Sequence, residues 1–261
     1  MIKFLDTFRR FFYKATCSIA IVSLISFSFY SALVDSAIEQ STIEKSQENV
    51  SKHHPVSYKK AIKKSRDSAV RVISIDPESG HISTFSGTYI KSYGSYFVAT
   101  VAHGLLGTCE FTKIVYAQEL YDCVKLIEKN DAQDYAVLQI EEIPTRVPIK
   151  IPKDLPKNQQ WKNVFTLQNR VIYTGYPNSI GPLSIGGNIS GANGTNFIYI
   201  DSYAWEGSSG SGVFDSKGDF IGYVIAIDVG STEFGAQVLN NVVLVVPSFK
   251  IDWTKLITEA E

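Results

Sequence analysis

Four side chains in this sequence can carry histidine acid–base chemistry, and all lie early: His53, His54, His81 and His103. Their placement decides which hydrolytic arrangements stay open. The order serine, acid, histidine of α/β-hydrolases is closed, because no histidine follows residue 103. A cysteine ahead of its histidine would have to be Cys17, which sits inside an apolar run. No H-E-x-x-H pattern offers a zinc site, and the adjacent His53 and His54 have no third ligand beside them, so no metal is expected. A histidine followed by an acid and then by a serine remains.

The serine is the best marked of the three. In W-E-G-S-S-G-S-G-V-F, residues 205–214, Ser209 sits between glycines that permit a tight turn. A serine nucleophile needs an exposed hydroxyl beside N–H groups that converge on a developing oxyanion, and the amides of Gly207 and Ser209 can supply them. By composition G-S-S-G-S-G also reads as a flexible linker. Aromatic and β-branched residues enclose it, however, with the turn D-S-K-G-D and the strand F-I-G-Y-V-I-A-I just beyond. His103 ends V-A-T-V-A-H-G, and Asp134 precedes an apolar strand in D-A-Q-D-Y-A-V-L-Q-I, with Asp131 as the second acid. A lone histidine at a strand end, or an aspartate opening a strand, is ordinarily structural. Their occurrence in the one order left open gives them weight together.

The elements that must position these residues are β-strands. Runs rich in Val, Ile, Phe and Tyr fall at 69–75, 84–91, 96–103, 111–117, 123–129 and 135–140. Prolines at 144, 148, 152 and 156 then read as an extended connector. Further runs follow at 164–168, 171–176, 183–191, 197–202, 212–215, 219–227 and 237–247, and residues 248–260 have the spacing of a closing helix. The expected fold is all-β, with two antiparallel six-stranded barrels, the first about 67–143 and the second about 160–250. His103 and Asp134 fall in the first barrel and Ser209 in the second, so a cleft between barrels can unite them. An immunoglobulin-type sandwich lacks its Cys…Trp…Cys spacing here, and no blade repeat supports a propeller.

V-A-T-V-A-H-G, D-A-Q-D-Y-A-V-L-Q-I, the loop and strand Y-T-G-Y-P-N-S-I-G-P-L-S-I-G-G-N-I-S-G, the serine segment and the closing L-V-V-P-S-F-K-I together resemble chymotrypsin-fold serine proteases, especially the high-temperature-requirement type, over about residues 67–250. The resemblance implies a general-base role for His103, a His-orienting role for Asp134, a nucleophilic role for Ser209 and an oxyanion hole from the amides of Gly207 and Ser209. It implies peptide substrates, no cofactor and a serine endopeptidase. Three departures stand out. Trp205-Glu206 replaces Asn-Pro, Ser211 takes a position that is more commonly Gly, and no room is left for a PDZ domain before Glu261. The resemblance also implies a primary pocket with Tyr203 at its base and Val224, Ile225 and Ile227 as walls, which would favour small or medium aliphatic side chains. The main competing reading is an inactive protease-fold binding module tethered to a membrane.

The N-terminal region has a different composition. Twenty uncharged residues separate Lys14 from Asp35, enough for a helix to span about 30 Å of hydrocarbon. Lys3, Arg9, Arg10 and Lys14 precede this run and Asp35, Glu39, Glu44 and Glu48 follow it. The positive-inside bias predicts a cytoplasmic tail at 1–14, an uncleaved membrane anchor at 15–34, and everything later on the periplasmic, extracellular or lumenal side. A cleaved signal peptide, giving a secreted product, is the alternative. Residues 35–66 read as a polar stalk leading to a 67–261 catalytic domain. Its cluster of Lys59, Lys60, Lys63, Lys64 and Arg66 reads as a solvated helix face in preference to a patch for anionic lipid or nucleic acid. The net charge of −1 gives no basic field, so no nucleic-acid partner is expected. Oligomerisation stays open. So does pairing of Cys109 with Cys123, which lie at unequal offsets from a turn expected near 117–120.

Overall fold

The computed structural model describes residues 56–151, 166–193, 196–232 and 235–258. Helix α1 (Val56–Ser68) leads into β1 (Ala69–Ile75), β2 (Ile82–Ser92), β3 (Ser95–Thr100), β4 (Thr112–Tyr116), β5 (Glu119–Asn130) and β6 (Tyr135–Ile140). These six strands are hydrogen-bonded in the order β1-β4-β5-β6-β3-β2, and antiparallel pairing of β1 with β2 closes the barrel. The short β7 (Ile149–Lys150) adds in parallel to β2, opposite Ile90 and Lys91. The proline-rich connector is thus partly built into the first sheet. A second closed barrel runs β10-β13-β12-β11-β8-β9. Its strands are β8 (Arg170–Gly175), β9 (Leu183–Asn193), β10 (Phe197–Asp201), β11 (Gly212–Asp215), β12 (Phe220–Thr232) and β13 (Gly235–Pro247). The expected pair of six-stranded barrels is therefore present. The strand expected at 164–168 is not formed where it is described, since Thr166–Gln168 turn and Gln168 has a φ of 67°.

Two-residue turns set the register of the first barrel. Tyr93 and Gly94, both at positive φ, join Ser92 to Ser95, while Ala117 and Gln118, again both positive, join Tyr116 to Glu119. Two successive positive φ values are the signature of type I′ hairpins, whose twist matches that of the flanking strands. The second hairpin explains the pairing of Cys109 with Cys123, whose Cα atoms are 5.2 Å apart. Lys113 lies opposite Asp122, so the ladder ends next to Cys123. A 3₁₀ turn over Cys109–Phe111 then folds Cys109 back to meet it. Counting offsets along an extended strand cannot anticipate that turn.

Helix α1 alters the expected domain boundary. Residues 56–66, assigned to the stalk from sequence, form most of this helix and pack on the β-domain. Tyr58, Ala61, Ile62 and Ser65 are buried at helical spacing, each large apolar side chain stabilising the docking by about 1.5–3 kcal/mol. Tyr58 Oη donates to the Val171 carbonyl (3.3 Å), Ser65 Oγ to Thr174 (2.8 Å) and Lys64 Nζ to the Gly218 carbonyl (2.7 Å). Of the cluster expected to form a solvated face, Lys60 and Lys63 are exposed on the other side, whereas Lys64 and Arg66 turn to the β-domain, Arg66 donating to the Pro182 carbonyl (3.4 Å) and to Ser184 Oγ (2.9 Å). The closing helix is shorter than predicted. Ser248–Lys250 form a 3₁₀ turn, Trp253 Nε1 donates back to the Ser248 carbonyl (2.8 Å), and α2 covers Lys255–Thr258. The membrane segment at 15–34 and the stalk before residue 56 lie outside the described residues. Among those described, no helix is long and apolar enough to cross a membrane.

Candidate active site

His103 is the first exposed residue after β3, whose continuation Val101 and Ala102 is buried. Its Nδ1 lies 2.7 Å from Asp134 Oδ2. The other carboxylate oxygen, Oδ1, accepts the backbone N–H of His103 (2.9 Å) and of Ala102 (3.1 Å). Asp134 therefore fixes both the histidine side chain and the backbone that carries it. It does so from a left-handed conformation, φ 51°, at the end of a turn in which Gln133 N–H donates to Asn130 Oδ1 (3.0 Å). Asp131, the second acid, is 78% exposed and pairs with Lys129 at 3.5 Å. With the carboxylate on Nδ1, the imidazole carries its proton there and leaves Nε2 as a base. No partner occupies Nε2 among the described residues.

The serine segment sorts its three hydroxyls by environment. Ser208 is buried, and its Oγ accepts the Trp205 N–H (3.1 Å). Ser211 is also buried, with no partner for its Oγ among the described residues. Only Ser209 is partly open to solvent, and its Oγ donates to the Ile225 carbonyl at 2.9 Å. Gly207 holds φ at 87°, where a side chain is strained, and an added Cβ would come within 2.6 Å of the Tyr176 carbonyl. The Glu206 carbonyl accepts the Asn178 N–H at 2.6 Å. Across a trans peptide the N–H points opposite to the C=O, so the Gly207 N–H faces away from Asn178. Neither that N–H nor the Ser209 N–H has an acceptor among the described residues. Two free amides beside an accessible hydroxyl make an anion-receptive concavity.

The pocket residues expected from the resemblance fare differently. Tyr203 is 58% exposed and stacks on exposed Trp205, with ring centroids 6.2 Å apart, so it does not floor a buried pocket. The backbone alternates here, turning Tyr203 and Trp205 outward and Ala204 inward. Val224 is buried in the interior of the second barrel with Val171, Tyr173 and Val213, which removes it from the pocket wall. Ile225 is half-buried and contributes its carbonyl to Ser209. The side chain of Ile227 lies outside the described ones. Sequence reading also missed Tyr223, on β12, whose buried hydroxyl donates to the Gln133 carbonyl (3.1 Å) and ties the Asp134 turn to the second barrel. Burial first, and the neighbouring Asp134 charge second, raise its pKa and keep it a donor. Ser86 and Asn178 were missed as well. None carries a local signal, because each acts through partners distant in sequence.

Residues 85–222 match the profile of the trypsin-like peptidase domain, more than half of the chain, and the chain belongs to that family. It is by class a serine endopeptidase. Its fold is similar to the crystal structure of the serine endoprotease from Yersinia pestis, at 20% identity and a TM-score of 0.58, over 80% of this chain and 68% of that one. It is similar also to the HtrA-type protease AlgW solved with a tripeptide, at 19% identity and a TM-score of 0.55, over 74% of this chain and 60% of that one. At these identities the likeness is one of fold. No curated protein matches the sequence.

Proposed function

We propose that the chain cleaves peptide bonds through His103, Asp134 and Ser209, on the non-cytoplasmic side of a membrane to which residues 15–34 anchor it. The observation that carries the catalytic reading is the pair of bonds that lock His103 onto Asp134, in the same domain as Ser209, the one serine of the 205–214 segment open to solvent, beside two unpaired amides. Ser209 Oγ leaves the Ile225 carbonyl by rotating about χ1 and gives its proton to His103 Nε2 as it attacks the substrate carbonyl carbon. The carbonyl electron pair moves onto oxygen, which accepts the N–H groups of Gly207 and Ser209. His103 then returns the proton to the departing amine, and water hydrolyses the acyl-enzyme by the same steps. No metal enters this chemistry. The Cys109–Cys123 disulfide supports a compartment outside the reducing cytoplasm, in keeping with the charge bias around residues 15–34.

The bond from Ser209 to Ile225 also favours a second reading, a protease-fold binding module whose serine stays disengaged. A fluorophosphonate probe separates the two. Covalent labelling that disappears in Ser209→Ala, but persists in Ser208→Ala and Ser211→Ala with unchanged melting, supports the enzyme. Failure of the wild-type chain to label refutes it. For the anchor, the N-terminus of the mature membrane-bound protein is sequenced, and a start near residue 37 refutes retention of residues 15–34.

A further inference from the structure

We propose that Ser86, on β2 of the first barrel, is a positioning residue that holds the Gly207–Ser208 peptide of the second barrel, which lies between the two peptides whose N–H groups receive the oxyanion, and so keeps those N–H groups in their receptive orientation. This rests on the catalytic reading above. Ser86 is fully buried, and each of its polar groups is engaged. Its Oγ donates to the Gly207 carbonyl (2.7 Å) and accepts the Tyr176 N–H (2.9 Å). Its N–H donates to the carbonyl of Ser209 itself (2.9 Å), and its own carbonyl accepts the Thr100 hydroxyl (2.6 Å).

The consequence follows from the dihedral freedom of Gly207. A glycine at φ 87° has no Cβ to resist rotation of either peptide plane beside it. The plane before it is held by Asn178, whose N–H takes the Glu206 carbonyl, and the plane after it is held by the Ser86 hydroxyl on the Gly207 carbonyl. With both planes pinned, the direction of the Gly207 N–H is fixed before any substrate arrives. Preorganised donors of this kind cost no reorganisation as charge develops. The approach is close enough to constrain the next glycine too, since a Cβ on Gly210 would lie 1.9 Å from the Ser86 carbonyl oxygen. A serine that merely filled space between barrels would need only one of these bonds.

The test compares Ser86→Ala with the full-length wild type on a cleavable peptide. Removing an oxyanion donor outright costs about 10²–10³ in kcat, and a residue acting through that donor is expected to cost about tenfold. The expected result is that loss in kcat with KM within about twofold, and an equal loss of affinity for a peptidyl boronate, which forms a tetrahedral adduct. Uncleaved substrate should bind Ser86→Ala/Ser209→Ala as tightly as it binds Ser209→Ala alone. Ser86→Cys, similar in size with a weaker donor, should fall between wild type and Ser86→Ala, and it covers the case in which the alanine variant does not fold. Unchanged kcat in both variants, or parallel loss of kcat and ground-state binding, overturns the proposal. Full activity in Ser209→Ala would instead bring down the catalytic reading beneath it.

Discussion

Replacing Asp134 with Asn separates the orienting role of this carboxylate from its structural role. Oδ1 accepts two backbone amides, and an Asn side-chain oxygen can keep both of those bonds. The group lost is Oδ2, 2.7 Å from His103 Nδ1, and in its place stands an NH₂ that donates. The imidazole must then accept at Nδ1 and carry its proton on Nε2, which can no longer take one from Ser209. Losing one charge-assisted bond at a half-exposed site costs about 1.5–3 kcal/mol of stability at most. Inverting the tautomer costs far more in rate, about 10⁴ in kcat or about 5 kcal/mol of barrier. Steady-state hydrolysis of a fluorogenic peptide, with melting followed in parallel, reads both. The control is Asp131→Asn, whose carboxylate is 78% exposed and pairs with Lys129; it should leave the rate unchanged. Activity of Asp134→Asn within tenfold of wild type, or equal damage from Asp131→Asn, refutes the assignment.

Two further outcomes concern stability. The Cys109–Cys123 bridge closes a loop of sequence separation 14, a constraint on the unfolded chain worth about 3 kcal/mol. Reduction, or the double Cys109→Ser/Cys123→Ser variant, should lower Tm by about 6–12 °C, and a shift below about 2 °C would contradict this. Burial is the main cause that pushes Tyr89, Tyr121 and Tyr135 up to about 12 from an ordinary 10.0. The unfolded chain therefore loses these protons first as pH rises. The stability gained by keeping the tyrosines neutral is complete below pH 10 and is lost by about pH 12. Tm should fall more steeply across that window than between pH 8 and 10, and Tyr135→Phe should flatten the fall.

What could be read ahead of the structure was local. β1 and β6 coincide with the runs at 69–75 and 135–140, because β-branched and aromatic residues recur there, alternating buried with half-buried along β1 and almost wholly buried in β6. His103, Asp134 and Ser209 each sit in a short, distinctive segment, and their order along the chain was informative. What escaped was set by partners far away in sequence. Ser86 looks like any mid-strand serine until residues 176, 207 and 209 are folded around it, and Tyr223 looks like one more core aromatic until it meets Gln133. Two of the residues expected at the pocket, Tyr203 and Val224, lie elsewhere for a different reason. The resemblance placed Tyr203 at a pocket base, whereas alternation of the extended backbone puts Tyr203 outside and Ala204 inside, and Val224 points into the barrel interior. The spacing of Phe249, Ile251, Trp253 and Leu256 suited a helix, but the bond from Trp253 to the Ser248 carbonyl fits a tight turn followed by a short helix.

The division of these groups between the barrels bears on when the molecule becomes dangerous to its surroundings. The first barrel, synthesised first, carries His103, Asp134 and Ser86, the proposed base, its acid and the positioning serine, but not the proposed nucleophile. The later half carries Ser209 and both oxyanion amides, but neither the base nor the hydroxyl that steadies Gly207. On that reading a nascent chain lacks a complete triad until Ser209 has been made. If the Ser86 proposal holds, competence also needs β2 seated against the Gly207–Gly210 loop, a contact formed by residues more than 120 positions apart. On the proposed mechanism, synthesis order itself supplies a delay between making the enzyme and arming it.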